Sequence, residues 1–193
     1  MQKKYVGIIL GLLSFVILTS GCIYLDNFTA PNKNYGVNDT SYNTVANVST
    51  KTFSAYGVSF KYPYNWKVDT GKNPDGSDMI SAYEEVAFKA TAFNIQIMND
   101  TDISEQTVIA GMQKSIIPGG NKTASYTITL DNTTAYEDVY VVDNPNFSKL
   151  MRFTLIYFVK DGKSYLITLQ ASDKNFDKEK AKFGIILNSL KVQ

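Results

Sequence analysis

The most informative stretch of the sequence is residues 150–171, LMRFTLIYFVKDGKSYLITLQA. It holds two apolar runs separated by residues 161–163, where a glycine tolerates the positive φ that a tight turn demands. Strands are therefore predicted at 150–160 and 164–171, joined as a hairpin. In the first strand, apolar side chains are expected on both faces of the sheet, which is typical of a central strand with both faces covered.

Upstream of this hairpin, alternation of apolar and polar residues predicts further strands. They cover residues 58–62, 66–68, 79–83, 93–97, 125–130 and 134–142. Pro63 ends the first of them, because proline has no N–H to donate to a neighbouring strand. Trp66 follows, and we expect its ring to fill a seam between the sheet and a helix, with the indole N–H bonded to a carbonyl oxygen.

Two helices are predicted from apolar stripes at helical spacing. The first begins at a cap on Asp102 and ends before Pro118, and the second begins at a cap on Asn175. The stripes consist of Val108, Met112 and Ile116 in the first helix and Phe176, Phe183, Ile186 and Leu190 in the second. The expected fold is therefore α+β, a mostly antiparallel β-sheet sandwiched by helices in one domain over residues 52–193.

The N-terminus has the layout of an export segment, with Lys3 and Lys4 ahead of an uncharged apolar run that ends in a Ser-Gly-Cys tripeptide. The tripeptide is similar to a lipobox, except that Thr19 stands where Leu, Val or Ile is usual, and a lipid on Cys22 would anchor the chain. Because the uncharged run continues to Leu25, roughly the 20 residues that span a bilayer, an uncleaved helix is the alternative, and simple secretion is a third. The two lysines favour an N-in orientation, so the rest of the chain is expected on the external face of the cell membrane.

Residues 1–22 are thus predicted to be a signal peptide, a lipoprotein signal or a membrane anchor, and residues 23–51 are rich in Asn, Thr and Ser without a helical or strand period. This second stretch is predicted to be a polar linker. Seven Asn-x-Ser/Thr sequons occur along the chain, at Asn27, Asn38, Asn47, Asn99, Asn121, Asn132 and Asn146. N-glycans at these sites would fit an extracytoplasmic protein from an archaeon-like source, and unmodified polar turns are the alternative.

Charge and composition exclude several classes of function. Nineteen basic residues against eighteen acidic ones leave a net charge of +1, whereas a nucleic-acid-binding protein normally shows a basic excess. The absence of histidine and the single cysteine remove His-based catalytic sites, most zinc sites and any internal disulfide. We therefore expect no catalytic residue, no metal site, no cofactor and no nucleic-acid partner.

Residues 56–63 (YGVSFKYP) with 65–68 (NWKV) resemble the opening signature of PsbP-like domains. Residues 161–165 (DGKSY), and a helix closing on 188–192 (NSLKV), resemble the end of the same family. The resemblance covers residues 52–193 and is strongest at both ends.

This resemblance implies an α/β/α sandwich with a central antiparallel sheet and a non-enzymatic accessory role. Plant and cyanobacterial members sit on photosystem II and help retain calcium and chloride, and the cyanobacterial forms are lipid-anchored. The histidine-based metal positions of plant members cannot carry over to a chain without histidine. Nothing in the sequence indicates a photosynthetic cell. The prediction is a membrane-tethered, extracytoplasmic accessory protein that is not an enzyme and acts through contact with a protein partner.

Two other functions stay open. A carbohydrate- or cell-wall-binding module could use exposed tyrosines, for which the candidates are Tyr62, Tyr64, Tyr136 and Tyr140. A hydrolase would need lysine or a carboxylate as its base. The acidic pairs 84–85 and 137–138, the latter together with Asp143, are expected to form a charged, solvent-facing surface, with a loosely held calcium ion as the lesser alternative.

Overall fold

The computed structural model describes residue 42 and residues 48–85, 91–99, 120–144 and 149–193. Within them the chain forms ten strands and one helix. The strands are β1 (Thr50–Ala55), β2 (Val58–Pro63), β3 (Trp66–Lys72), β4 (Asp78–Glu84), β5 (Ala92–Met98), β6 (Asn121–Leu130), β7 (Thr133–Asn144), β8 (Lys149–Lys160), β9 (Lys163–Ser172) and β10 (Lys191–Val192); the helix is α1 (Asp173–Ser189). The helix predicted from Asp102, the cysteine at position 22 and the sequons at 27, 38, 47 and 146 lie outside the described residues.

The strands form two antiparallel sheets. The larger sheet has seven strands in the order β3-β4-β5-β9-β8-β7-β6, and the smaller has three in the order β1-β2-β10. The predicted hairpin of β8 and β9 therefore lies at the centre of the larger sheet. In β9, every residue from Ser164 to Ser172 is buried, which confirms a strand covered on both faces.

The main hydrophobic core lies on the face of the larger sheet against which α1 and the smaller sheet pack. We call it the first face. Its largest side chains are Phe60, Trp66, Phe93, Phe158, Tyr165, Phe176 and Phe183. They pack ring against ring, with centroids 5.3 Å apart for Phe60 and Phe93 and 4.9 Å apart for Phe158 and Tyr165. Full burial of one such ring contributes about 2 kcal/mol to stability.

A second cluster lies on the opposite face, because β7 and β8 alternate their side chains between the two faces. It is formed by Tyr140, Val142, Met151, Phe153, Leu155, Tyr157 and Leu166. The predicted covering by helices is confirmed only for the first face, where α1 packs, since α1 is the one helix of the described residues.

The start of α1 is fixed by charge, and not by the cap that the sequence predicts at Asn175. The N-cap residue is Ser172, whose side chain makes no capping hydrogen bond. Arg152 on β8 instead donates to Asp173 at 2.8 Å and to Asp177 at 3.2 Å, and its guanidinium lies 5.0 Å from the Phe176 ring centroid. The helix begins ahead of the predicted cap at Asn175 because β9 ends at Ser172 and continues directly into the helix.

Trp66 fills the seam between the sheet and α1, as predicted. It is 1% exposed, and its ring meets Phe183 edge-on at 5.9 Å. The predicted hydrogen bond of the indole N–H is wrong, because this buried atom has no partner in the described part of the chain. The ring of Phe183 packs edge-on against the indole, so packing maintains its burial.

Candidate functional site

The four predicted binding tyrosines are not brought together. Tyr62 and Tyr64 belong to the smaller sheet and its exit, whereas Tyr136 and Tyr140 lie on β7 of the larger sheet. Tyr64 is 63% exposed and Tyr136 is 45% exposed, but Tyr62 packs partly against the main core. Tyr140 is 1% exposed and its hydroxyl donates to Asp138 at 3.2 Å, so this ring offers no surface to a ligand.

Three tight turns meet at one end of the molecule. Each joins two antiparallel strands with two residues: 56–57 between β1 and β2, 131–132 between β6 and β7, and 161–162 between β8 and β9. All six turn residues have positive φ, between 45° and 75°. Turns of this kind match the right-handed twist of the flanking strands and hold them in a fixed register. We call these turns, together with residues 191–193, the hairpin end.

Asp131 is the electrostatic centre of the hairpin end. Its side chain is 6% exposed, and its carboxylate accepts hydrogen bonds from Lys160, from Lys191 at 2.8 Å and from the backbone N–H of Val192 at 3.0 Å. Burial alone would raise the pKa of Asp131, but the hydrogen bonds from the two lysines and Val192 outweigh it and hold that pKa well below its usual range. One carboxylate in the β6–β7 turn is thus bonded to two other strands, β8 and β10.

The C-terminus closes the hairpin end. The backbone N–H of Gln193 donates to the Gly57 carbonyl at 2.8 Å, and Lys163 donates to the Gln193 carbonyl at 3.3 Å. A Cβ at Gly57 would lie 2.8 Å from the Gln193 carbonyl oxygen, so glycine permits this close approach as well as the positive φ of 73°. The turn between β1 and β2 is therefore fixed to the C-terminus.

The hairpin end presents an aromatic side chain on this fixed framework. Tyr56 is 48% exposed, and its backbone has a φ of 55°, a left-handed conformation that is unusual for a bulky residue. Val159 beside the third turn is 41% exposed, and the side chain of Lys191 is 59% exposed. Tyr56 is not among the tyrosines predicted from the sequence, because the turn that holds it is fixed by the distant contact of Gly57 with Gln193.

The acidic pair at 137–138 is buried, which contradicts its predicted solvent-facing position. Glu137 is 5% and Asp138 is 7% exposed, and because they are neighbours on β7 they point to opposite faces of the sheet. The Asp138 carboxylate accepts from Ser125 at 2.5 Å and lies 3.4 Å from the Lys122 ammonium group. Both strands β6 and β7 are thereby linked through side chains as well as backbone.

Glu137 is engaged by a residue from the predicted linker. The Tyr42 hydroxyl donates to its carboxylate at 2.6 Å, and the Tyr42 carbonyl accepts from Asn188 on α1 at 3.1 Å. A Cβ at Gly184 would lie 2.2 Å from that carbonyl oxygen, so only glycine lets residue 42 approach the helix this closely. Part of the chain ahead of β1 is thus seated between α1 and β7.

Other titratable groups are paired in structural contacts. The Tyr83 hydroxyl donates to Asp69 at 2.7 Å; burial, followed by this bond, raises the pKa of Tyr83 to about 12, so the phenol stays protonated. Ser164 is buried beside the Tyr157 hydroxyl and does not face Lys163, since neighbours on a strand alternate. Among the described residues, no three His, Cys, Asp or Glu side chains are grouped to hold a metal ion.

Three of the predicted sequons can be placed. Asn99 follows β5, Asn121 is the first residue of β6 and Asn132 is the second residue of the turn that follows it, and all three are exposed.

The described segments contain no helix that is both long and apolar enough to cross a bilayer.

Comparison with known proteins gives one family and one fold. The sequence profile of a family described as "PsbP-like protein" matches residues 7–192. The solution structure of cyanobacterial PsbP from Synechocystis is similar, with 15% identity, a TM-score of 0.55 and coverage of 77% of this chain and 95% of that one. A crystal structure of LpqN from Mycobacterium tuberculosis, described as involved in cell envelope biogenesis, covers 83% of this chain and 99% of its own at 13% identity and a TM-score of 0.43. No curated protein matches the sequence.

Proposed function

The chain belongs to the PsbP-like protein family, and from this premise we propose that it is a membrane-tethered accessory protein on the external face of the cell. It works through contact with a protein partner and catalyses no reaction. The hairpin end carries that contact. Tyr56 supplies the aromatic anchor, and Lys163, Lys191 and the exposed Asp161 give the surrounding surface the mixed charge of an interface rim.

The observation that carries this proposal is the conformation of Tyr56. A non-glycine residue in the left-handed region costs about 1 kcal/mol, and asparagine before glycine is the preferred pair for this turn. A bulky aromatic residue held there is a local disadvantage for folding, and such outliers cluster at functional sites. Exposed tyrosine on a rigid framework is also a typical interface anchor, because little side-chain freedom is lost on binding.

Replacing Tyr56 by asparagine should separate stability from binding. We expect Tyr56→Asn to raise the free energy of unfolding by about 0.5–1 kcal/mol, because it relieves the left-handed tyrosine. The same variant should lose most of the partner that wild-type protein co-purifies from intact membranes. Urea denaturation and quantitative mass spectrometry of the captured proteins measure the two effects.

Tyr64→Asn is the matched control, since Tyr64 is more exposed than Tyr56 and leaves the smaller sheet at the opposite end of β2. This control should retain the partner. Equal capture by Tyr56→Asn and wild type would remove the hairpin end from the proposal, and turnover of a substrate by the purified protein would contradict the non-catalytic role.

The tether is tested at Cys22. With serine in place of this cysteine the thiol that takes up the lipid is gone, so Cys22→Ser should move the protein from the membrane fraction to the soluble one. Thr19→Ser serves as the control, because it changes the same segment and keeps the thiol. Undiminished membrane retention of Cys22→Ser would favour the uncleaved helix as the anchor.

The carbohydrate-binding alternative needs a planar row of exposed tyrosines. The structure distributes the four candidates over two sheets and buries Tyr140. The protein-contact function is therefore the one that the described surface supports better.

A further inference from the structure

The chain that leaves α1 runs antiparallel along β2 as far as the turn that carries Tyr56. The Ser189 hydroxyl accepts a hydrogen bond from the backbone N–H of Lys61 at 2.8 Å. β10 then pairs with the first two residues of β2, and one step further on the backbone N–H of Gln193 donates to the Gly57 carbonyl at 2.8 Å. Residues 189–193 therefore follow β2 contact by contact and end at this turn.

Asp131 holds β10 from the side opposite to β2. β10 has two residues, and strand pairing this short is marginal by itself. Because N–H groups alternate in direction along a strand, the N–H of Val192 points away from β2. It donates to one oxygen of the Asp131 carboxylate at 3.0 Å, and the Lys191 side chain donates to the other at 2.8 Å. Lys160 on β8 bonds the same carboxylate, so the larger sheet holds β10 in place on β2.

The turn at 56–57 depends on outside contacts more than the other two turns of the hairpin end. Those turns consist of Asp-Asn at 131–132 and Asp-Gly at 161–162, residue types that tolerate a positive φ. Tyr56 is bulky and has a φ of 55°, and a conformation of this kind persists where the surrounding structure enforces it. The hydrogen bond from Gln193 to Gly57 is such an enforcing contact, and β10 carries it.

From these contacts, and resting on the function proposed above, we infer that Asp131 is a positioning residue for Tyr56. Through β10 and the hydrogen bond from Gln193 to Gly57 it keeps the hairpin end in the conformation that binds the partner. We call this series of contacts the relay. The side chain of Asp131 is 6% exposed and offers a partner almost no surface, so its charge acts on binding through β10.

Hydrogen exchange of the full chain in detergent tests the relay without a partner. In Asp131→Asn, the peptides that contain the β1–β2 turn and residues 189–193 should exchange about tenfold faster than in the wild type, because the hydrogen bonds to the carboxylate lose their charge assistance. Phe176→Leu is the matched control, since it removes buried packing at the start of α1, beyond the far end of β9 from the 161–162 turn. This control should leave both peptides at the wild-type rate.

A double variant tests why the turn needs the relay. Asparagine before glycine is the preferred pair for this turn, so adding Tyr56→Asn to Asp131→Asn should return the β1–β2 turn peptide close to the wild-type exchange rate. The peptide with residues 189–193 should stay fast. A general loss of structure would not be reversed in one peptide alone.

Binding is measured as the amount of the partner that the wild type co-purifies from intact membranes. Per folded molecule, Asp131→Asn should capture less by about twofold or more, because only molecules with the turn closed can bind. Phe176→Leu should capture as much as the wild type.

The outcomes separate the relay from the proposed function. Wild-type exchange at residues 189–193 in Asp131→Asn, equal acceleration in Phe176→Leu, or undiminished capture by Asp131→Asn would overturn the relay and leave Tyr56 as the contact residue. Full capture by Tyr56→Asn would instead overturn the contact at the hairpin end, whatever the exchange rates.

Discussion

Asp131→Asn is expected to lower the free energy of unfolding by about 2 kcal/mol, because a carboxylate that is 6% exposed loses charge-assisted hydrogen bonds to two partly exposed lysines. Asparagine keeps the size of the side chain and tolerates the left-handed turn, so the backbone is not strained. What is lost is the negative charge between Lys160, whose side chain is 24% exposed, and Lys191. Equilibrium denaturation in urea measures the change.

Asp131→Asn should also change the acid sensitivity of the protein. Because the folded pKa of Asp131 lies below its unfolded value of about 4, its contribution is complete above that pH and is lost as the pH falls further. Wild-type stability should therefore drop below about pH 4, and the variant should lack this part of the drop.

Asp161→Asn is the control. Asp161 holds the equivalent place in the turn between β8 and β9, with a φ of 51° against 45° for Asp131, but it is exposed. This change should cost less than about 0.5 kcal/mol. Equal losses at both positions would show that the turn geometry, and not the lysine contacts, determines stability here.

Trp66→Ala should lower the free energy of unfolding at least as much as Asp131→Asn does, by about 3–5 kcal/mol, because it opens a cavity between the sheet and α1. The indole is 1% exposed and meets the Phe183 ring edge-on, so its removal takes away buried contacts. Thermal and urea unfolding both report the loss. Tyr64→Ala in the same corner, which removes an exposed ring, should change stability by less than about 0.5 kcal/mol.

A second substitution distinguishes the ring from its N–H group. Trp66→Phe removes a buried donor without a partner, which relieves a penalty of about 1–3 kcal/mol while it loses part of the ring volume. We expect a net cost near 1 kcal/mol, well below that of alanine. A cost close to that of Trp66→Ala would mean that the indole N–H is hydrogen-bonded.

The sequence predicted the centre of the fold because the hairpin at 150–171 combines a strong turn signal with strands buried on both faces. The apolar stripe of α1 was equally clear, since Phe176, Phe183 and Ile186 lie at helical spacing and pack into one core. These features depend on local pattern, which a single sequence contains.

Features that depend on distant contacts could not be predicted in this way. β1 is a polar edge strand, and β10 has two residues, so neither shows a recognisable period. The ion pairs of Asp131 join residues 29 and 60 positions away. Tyr56 was missed for a related reason: its exposure follows from the close contact of Gly57 with the C-terminus, which no spacing in the sequence reveals.

The two hydrogen bonds of Tyr42 determine where a pulling force on the preceding part of the chain would first act. A pull on the chain ahead of residue 42 reaches Asn188 and Glu137 before it reaches β1, since Tyr42 is held by its carbonyl and its hydroxyl. The load then falls first on α1 and on β7 of the larger sheet, ahead of strand β1. In a chain tethered ahead of residue 42, as proposed above, a pull would thus act on the contacts of Tyr42 before it acts on β1 and the turn that carries Tyr56.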